Sequence, residues 1–467
     1  MNPTRIARRT FLTAAGMAPA ILRGQSRRPN VLFLLTDDQR ADTINALGNP
    51  AIVTPHLDAL AKRSMVFRNA YCLGGNSAAV CTPSRNMILS GRVFTRYDGQ
   101  ASGDDPNFPD SMREAGYETY HQGKRGNSAV QIQARFEVNS YLSDDGASRT
   151  AGAPGHEITE NAIRFLRERN TDRPFFMYLA FETPHDPRVP RPEDAALYAN
   201  RDLPLPRNFL PLHPFDNGEM EVRDELLAPW PRTPDEIRRH LREYYAVITG
   251  LDAQIGRLLE TLRTRPEYEN TIVVFSSDQG LAVGSHGLMG KQSLYDHSMK
   301  APLLVSGPGI RPGRTDALVY LMDIYPTILD RIGAPIPEGL DGVSFRAALE
   351  GRSRRARPEL YLAYRAVQRA VRDERYKLIV YPDIHRHQLF DLASDPDEIR
   401  DLATNPRQSG RIESMMGRLE SLQRQFGDAL PLRAAEAKPQ AWSPPTGEAL
   451  DKVRAKWKMA PLSTPRQ

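Results

Sequence analysis

The sequence predicts an α/β protein: a large, mostly parallel sheet sandwiched by helices, followed by a small C-terminal antiparallel sheet plus a helix. Three observations carry this. Continuous apolar runs, as expected of strands buried on both faces, recur at 30–35 (NVLFLL), 175–181 (FFMYLAF), 271–276 (TIVVFS) and 302–305. Stretches of helical periodicity fall between them at 54–64, 158–167, 234–264 and 321–332, and strands alternating with helices build parallel sheets. Past an arginine-rich stretch at 352–357 the pattern changes to short segments at 360–365, 369–372, 377–381 and 388–391, then a helical pattern at 411–425.

The 467 residues exceed one ordinary domain of about 100–200. They divide into a leader at 1–24, a main α/β domain at 28–351, an α+β subdomain at 358–430 and an irregular tail at 431–467. Residues 183–233 are dense in proline and charge and read as a long surface excursion suited to substrate binding. With 40% hydrophobic and 25% charged residues the chain is neither collagen-like, coiled-coil nor wholly disordered. No apolar run approaches the ~20 residues of a membrane helix, so no membrane span is expected. The 62 basic and 57 acidic residues nearly balance, and Arg5, Arg8 and Arg9 lie in the leader, so nothing argues for nucleic acid. Two cysteines, Cys72 and Cys81, exclude a disulfide scaffold, and Cys72 reads as a small buried apolar residue.

In the leader, Arg8-Arg9-Thr10-Phe11-Leu12 precedes a weakly apolar stretch and Ala18-Pro19-Ala20, which is similar to a cleavage site. Twin arginines ahead of Phe-Leu resemble a bacterial Tat signal. The expectation is passage through the Tat translocon in the folded state and a periplasmic or secreted location.

Two oxygen-bearing pairs follow strands directly: Asp37 and Asp38 after the run at 30–35, Asp278 and Gln279 after that at 271–276. Ligands in open α/β sheets gather outside the carboxyl ends of strands, so the two pairs could meet on one hard cation. Asp and Gln oxygens without histidine suit Ca²⁺ or Mg²⁺ better than Zn²⁺. Either pair alone would serve equally as a helix cap or turn.

Between them stands Cys81-Thr82-Pro83-Ser84-Arg85, then an apolar helical turn and Gly91-Arg92. With NVLFLLTDDQR, FETPHDP and SSDQG…GSHGLMGKQSLYDHS, this string resembles the type I, formylglycine-dependent sulfatases of the alkaline phosphatase superfamily, over about 28–400. The resemblance implies an alkaline-phosphatase-like fold and a sulfuric ester hydrolase. It implies that a formylglycine-generating enzyme oxidises Cys81 to formylglycine, whose gem-diol is the nucleophile. Asp37, Asp38, Asp278 and Gln279, with the modified Cys81, would hold a divalent metal, Ca²⁺ before Mg²⁺. Arg85 would bond the modified residue; Lys124, His185 and Lys291 would bind the sulfate and steady the leaving oxygen, His185 as general acid. His286 would be architectural. Export and the polar excursion point to a sulfated carbohydrate as substrate.

Two departures stand out. Gln279 replaces the Asn or His of relatives, and Gly126 stands where relatives carry the histidine that deprotonates the covalent intermediate; His121 and Asn127 are the stand-in candidates. Two other functions fit the same fold: a phosphodiesterase or phosphonate hydrolase, and a non-catalytic binder of sulfated glycans, the latter motivated by Gly126.

Overall fold

The computed structural model describes Met1 and residues 28–460; the leader motifs and the last seven residues of the tail lie outside the described residues. The run at 30–35 forms β1 (Asn30–Thr36), buried along its whole length. Val31, Phe33 and Leu35 join the hydrophobic cluster on one face of the sheet and Leu32 and Leu34 the cluster on the other. That is why the sequence shows a continuous apolar run instead of alternation.

The other strands are β2 (Met65–Tyr71), β3 (Gly74–Gly75), β4 (Glu118–Gly123), β5 (Val138–Tyr141), β6 (Phe175–Ala180), β7 (Thr271–Ser277), β8 (Lys300–Ala301), β9 (Leu303–Ser306) and β10 (Gly313–Tyr320). The large sheet runs in the order β10-β2-β9-β7-β1-β6-β4-β5, with β8 paired to β2. β1 is parallel to β6 and β7, β4 to β5 and β6, and β2 to β10, so the mostly parallel expectation holds. The exceptions are β9, antiparallel to both β7 and β2, and the two-residue β8, antiparallel to β2. The helix in the stretch joining β9 to β7 is the single turn Asp296–Met299, too little for the helical crossover a parallel return needs. β2, β4, β5 and β10 carry no long apolar run; in β10 the first four residues are only partly covered.

A second sheet holds β11 (Leu360–Tyr364), β12 (Gln368–Arg372), β13 (Tyr376–Tyr381) and β14 (Arg386–Asp391), antiparallel throughout as the short segments predict. It gains one parallel partner from far upstream, β3, against β11. A Cβ at Gly74 would lie 2.0 Å from the Ala363 carbonyl oxygen and one at Gly75 2.2 Å from Pro83 Cγ, so only glycine permits this approach. The arginine-rich stretch at 352–357 is tied down by a part-buried Arg357–Asp323 pair at 2.5 Å. Helices match their sequence patterns closely, including Pro234–Arg263, capped by Thr233, and Ser409–Gln425. The tail is not wholly irregular: Gly447–Lys456 is helical, and Arg454 and Trp457 anchor it by donating to the Leu226 and Glu221 carbonyls.

Candidate active site

β1 and β7 are neighbours, so their carboxyl ends deliver Asp37-Asp38 and Asp278-Gln279 side by side. The Asp38 backbone N–H donates to Asp278 Oδ1 at 3.1 Å, and the Asp278 N–H returns a bond to the Thr36 carbonyl. Asp38 takes φ 65°, a left-handed conformation in which Asp is one of the tolerated residues. All four residues are buried.

The helix Cys81–Ser90 points its N-terminus at these strand ends, and Gly91 at φ 67° closes its other end. Ser84 Oγ donates to the Asp278 carbonyl and Arg85 Nε to Asp278 Oδ2 at 2.9 Å, fixing the helix against β7. Cys81 Sγ lies 3.2 Å from Asp37 Oδ1 and 3.8 Å from Asp38 Oδ1, and accepts from Gln279 Nε2 and Lys291 Nζ, both at 3.1 Å. One ligand atom from each of Asp37, Asp38, Cys81 and Asp278 falls within 4.8 Å of all the others.

Three loops bring nitrogen-bearing side chains to this cluster. Lys124, just past β4, donates to Asp37 Oδ2. Lys291 Nζ reaches both oxygens of Asp38, at 2.7 and 2.9 Å. His185, past β6, puts Nε2 3.8 Å from Asp38 Oδ2 while its Nδ1–H donates to the Asp186 carbonyl at 2.6 Å. Burial alone would raise both Asp37 and Asp278, yet Lys124 and Arg85 hold Asp37 well below the usual carboxylate range. Asp278 is pushed up to about 6 by burial and by Asp37, against the pull of Arg85. Burial, Asp278 and Asp37 push the Cys81 thiol well above its ordinary value, so as a thiol it stays protonated and weakly nucleophilic.

The sulfatase family model matches residues 29–334, and that for the C-terminal part of N-sulphoglucosamine sulphohydrolase matches residues 284–425. The chain belongs to the sulfatase family. It is a sulfuric ester hydrolase. Among its relatives are an N-acetylglucosamine-6-O-sulfatase of Bacteroides thetaiotaomicron, 27% identical over 86% of this chain and 88% of that one. A choline-sulfatase of Rhizobium meliloti is 29% identical over 81% and 83%. The fold is shared with BT4656, solved in complex with its substrate D-glucosamine-2-N,6-O-disulfate, at TM-score 0.74 and 24% identity over 87% of this chain and 99% of that chain. It is shared equally with a phosphonate monoester hydrolase of Agrobacterium radiobacter, at TM-score 0.73 and 20% identity over 90% and 100%.

The donor set of this sulfatase fits a hard divalent cation. Three buried carboxylates converge, and Gln279 Oε1 is buried without a hydrogen-bond partner while its amide nitrogen faces Asp38 and Cys81. Turning that amide over exchanges donor for acceptor at the cluster, and O and N of an amide are assigned from such networks. Cys72 and Cys81 are unpaired and buried. His286 stacks on Tyr295 at 3.9 Å and its Nε2 contacts the Glu398 carbonyl, away from the cluster.

At Gly126 the chain makes an exposed loop in which Asp145 accepts from the N–H groups of Arg125 and Gly126. Neither stand-in candidate bonds to the cluster: His121 is packed against Tyr178 and bonded to Asn139, and Asn127 is exposed at φ 49°. Sequence reasoning also missed a turn inside the 183–233 excursion, Arg223–Leu227. Arg223 pairs with both oxygens of Asp186; Asp224 Oδ2 accepts from Gln292 Nε2 at 2.8 Å; Glu225 accepts from the N–H groups of Met289 and Gly290. Its composition, proline with mixed charge and no period, held no clue beyond its proximity to His185.

Proposed function

We propose that this chain is an exported sulfatase that removes sulfate from a sulfated glycan, using a formylglycine made from Cys81. The observation that carries the reading is the position of Cys81: the first residue of a C-T-P-S-R helix, within 3.2 Å of Asp37 and bonded by Lys291. Asp37, Asp38, Asp278 and Gln279 would hold the metal, Ca²⁺ in preference to Mg²⁺, which supplies positive charge for the sulfate oxygens when bound. Formylglycine supplies a hydrated carbonyl, one hydroxyl for attack and one for release of sulfate. The glycan assignment is supported by the substrates named for the N-acetylglucosamine-6-O-sulfatase and for BT4656, and by the polar excursion beside the site.

The chain's own groups have separable tasks. Lys124 and Lys291, on opposite carboxylates of the Asp37-Asp38 pair, present fixed positive charge to a sulfate ester. Arg85 stays charged between Asp278 and Asp37 and keeps the helix end oriented. His185, its Nδ1–H committed to Asp186, has Nε2 free to protonate the departing alcohol. The Tat-type leader would carry the folded enzyme out after modification by the formylglycine-generating enzyme.

Mass spectrometry of the Cys81 peptide, after co-expression with a formylglycine-generating enzyme, should show thiol-to-aldehyde conversion. The converted protein should turn over an aryl sulfate faster than an aryl phosphodiester or phosphonate monoester. The reverse preference would establish the phosphonate hydrolase reading, to which the shared fold with the Agrobacterium enzyme lends support. Binding of sulfated glycan with no desulfation at stoichiometric enzyme would establish the non-catalytic one.

A further inference from the structure

We infer that Arg223 is a positioning residue that holds His185 in place for protonation of the leaving group. The inference rests on the reading of His185 given above. Asp186 does two things at once: its carbonyl takes the His185 Nδ1–H at 2.6 Å, and both oxygens of its carboxylate are taken by the Arg223 guanidinium. A planar fork on a carboxylate fixes direction as well as distance. The same Arg223 Nη1 also reaches Asp224 Oδ1 at 3.1 Å. From Asp224 the chain of contacts continues through Gln292 Nε2 (2.8 Å) and, from Gln292 Oε1, to the Lys291 backbone N–H (2.9 Å). One guanidinium therefore sits midway between the loop of His185 and the loop of Lys291.

The two loops depend on it unequally. The Lys291 loop has an independent hold, because Glu225 accepts from Met289 and Gly290 and is itself paired with Arg232 at 2.8 Å. The Asp186 carboxylate, almost fully buried, has Arg223 as its ion-pair partner besides the His185 ring itself. Without Arg223, the buried Asp186 and Asp224 would lose the guanidinium they share; Asp224 keeps the Gln292 amide at 2.8 Å, whereas Asp186 is left to the His185 ring and would swing toward it. The damage falls on leaving-group protonation, while sulfate binding through Lys124 and Lys291 is largely spared. Arg223 keeps 34% of its side chain exposed, so it can be replaced without opening the core.

The test uses the formylglycine- and Ca²⁺-loaded enzyme with two substrates: 4-nitrophenyl sulfate, whose phenolate leaves without a proton, and a simple alkyl sulfate, whose alkoxide does not. Arg223→Gln should lower kcat on the alkyl sulfate by about 10²-fold, the order expected for a misplaced acid. On the nitrophenyl ester kcat should fall at most about threefold, with KM little changed on both. Arg223→Lys, keeping charge but not the fork, should fall between. Equal losses on both esters, or none on either, would overturn the assignment. If Arg223→Gln does not fold by circular dichroism, Asp186→Asn must show the same substrate-dependent pattern. Wild-type enzyme inert toward both sulfates, despite converted Cys81, would instead defeat the sulfatase mechanism itself, and this assignment with it.

Discussion

Two of the buried charge clusters among the described residues look alike chemically. The first gathers Asp37, Asp38 and Asp278 with Arg85, Lys124 and Lys291 at the ends of β1 and β7; the second gathers Asp296 and Glu398 around Lys377, whose side chain is fully covered. Each contains a carboxyl driven upward, Asp278 to about 6 and Glu398 to about 7, in both cases by burial first and a neighbouring carboxylate second. A shifted pKa therefore does not single out the active site here. Geometry does. In the second cluster the Lys377 ammonium stands between the acids, 2.9 Å from Asp296 and 2.8 Å from Glu398, so the chain supplies its own cation. In the first the acids converge on one another and on Cys81, with the cations around them.

Substitutions should separate the two clusters. Cys81→Ala should lower kcat by about 10⁴-fold or more and leave circular dichroism unchanged; wild-type turnover would remove the nucleophile assignment. Lys377→Met should do the opposite, destabilising the fold by about 3–5 kcal/mol in urea unfolding, as breaking a buried pair does, with kcat per folded molecule retained. Loss of kcat without loss of stability would mean that the second cluster serves chemistry too. Asp278→Asn should cost about 10²–10³ in kcat and weaken Ca²⁺ retention through dialysis against chelator; unchanged Ca²⁺ content would place the metal elsewhere.

The pH dependence of stability sharpens the same contrast. Glu398 takes up its proton at about 7 in the folded protein against an ordinary 4.5. Between those values the folded state binds more protons than the unfolded one, so this group's contribution is favourable at low pH and is lost as pH rises through 7. Glu398→Gln should remove that decline from a plot of Tm against pH; a slope that survives the substitution comes from another group. The smallest effect is expected at Gly126→His. The position is exposed, so stability should stay within about 0.5 kcal/mol. A Cβ there would come 3.0 Å from Asp145 Oδ2, a side chain able to move. Because His185 is the histidine within ion-pair reach of the cluster among the described residues, a second one should raise kcat. An unchanged kcat would show that sulfate release does not limit turnover.

Much of this was legible in the residues themselves. The buried strands β1, β6 and β7 announce themselves as apolar runs because helices cover both their faces. The acids and Gln279 could be assigned to strand ends because that assignment is local. β2 and β10 were not legible: Arg68 and Asn69 interrupt the first, and a register shift between Thr315 and Leu318 breaks the second. Nor was the direction of β9, which depends on what its connection crosses. The turn at 223–227 was hidden for another reason, since Arg223 and Asp224 bond to Asp186 and Gln292, remote in sequence, and leave no period to detect.

Hydrophobic spacing and neighbouring residues were enough to mark the strands buried on both faces, the points where the carboxylates leave them, and Cys81 as the start of a long, specific motif ahead of a helix. Long-range packing, by contrast, sets β7 beside β1, so that Asp278 accepts from the Asp38 backbone at 3.1 Å across 240 positions of chain, and puts Arg223 between His185 and Lys291. Such pairings depend on how sheets stack and loops close, and no local pattern records them.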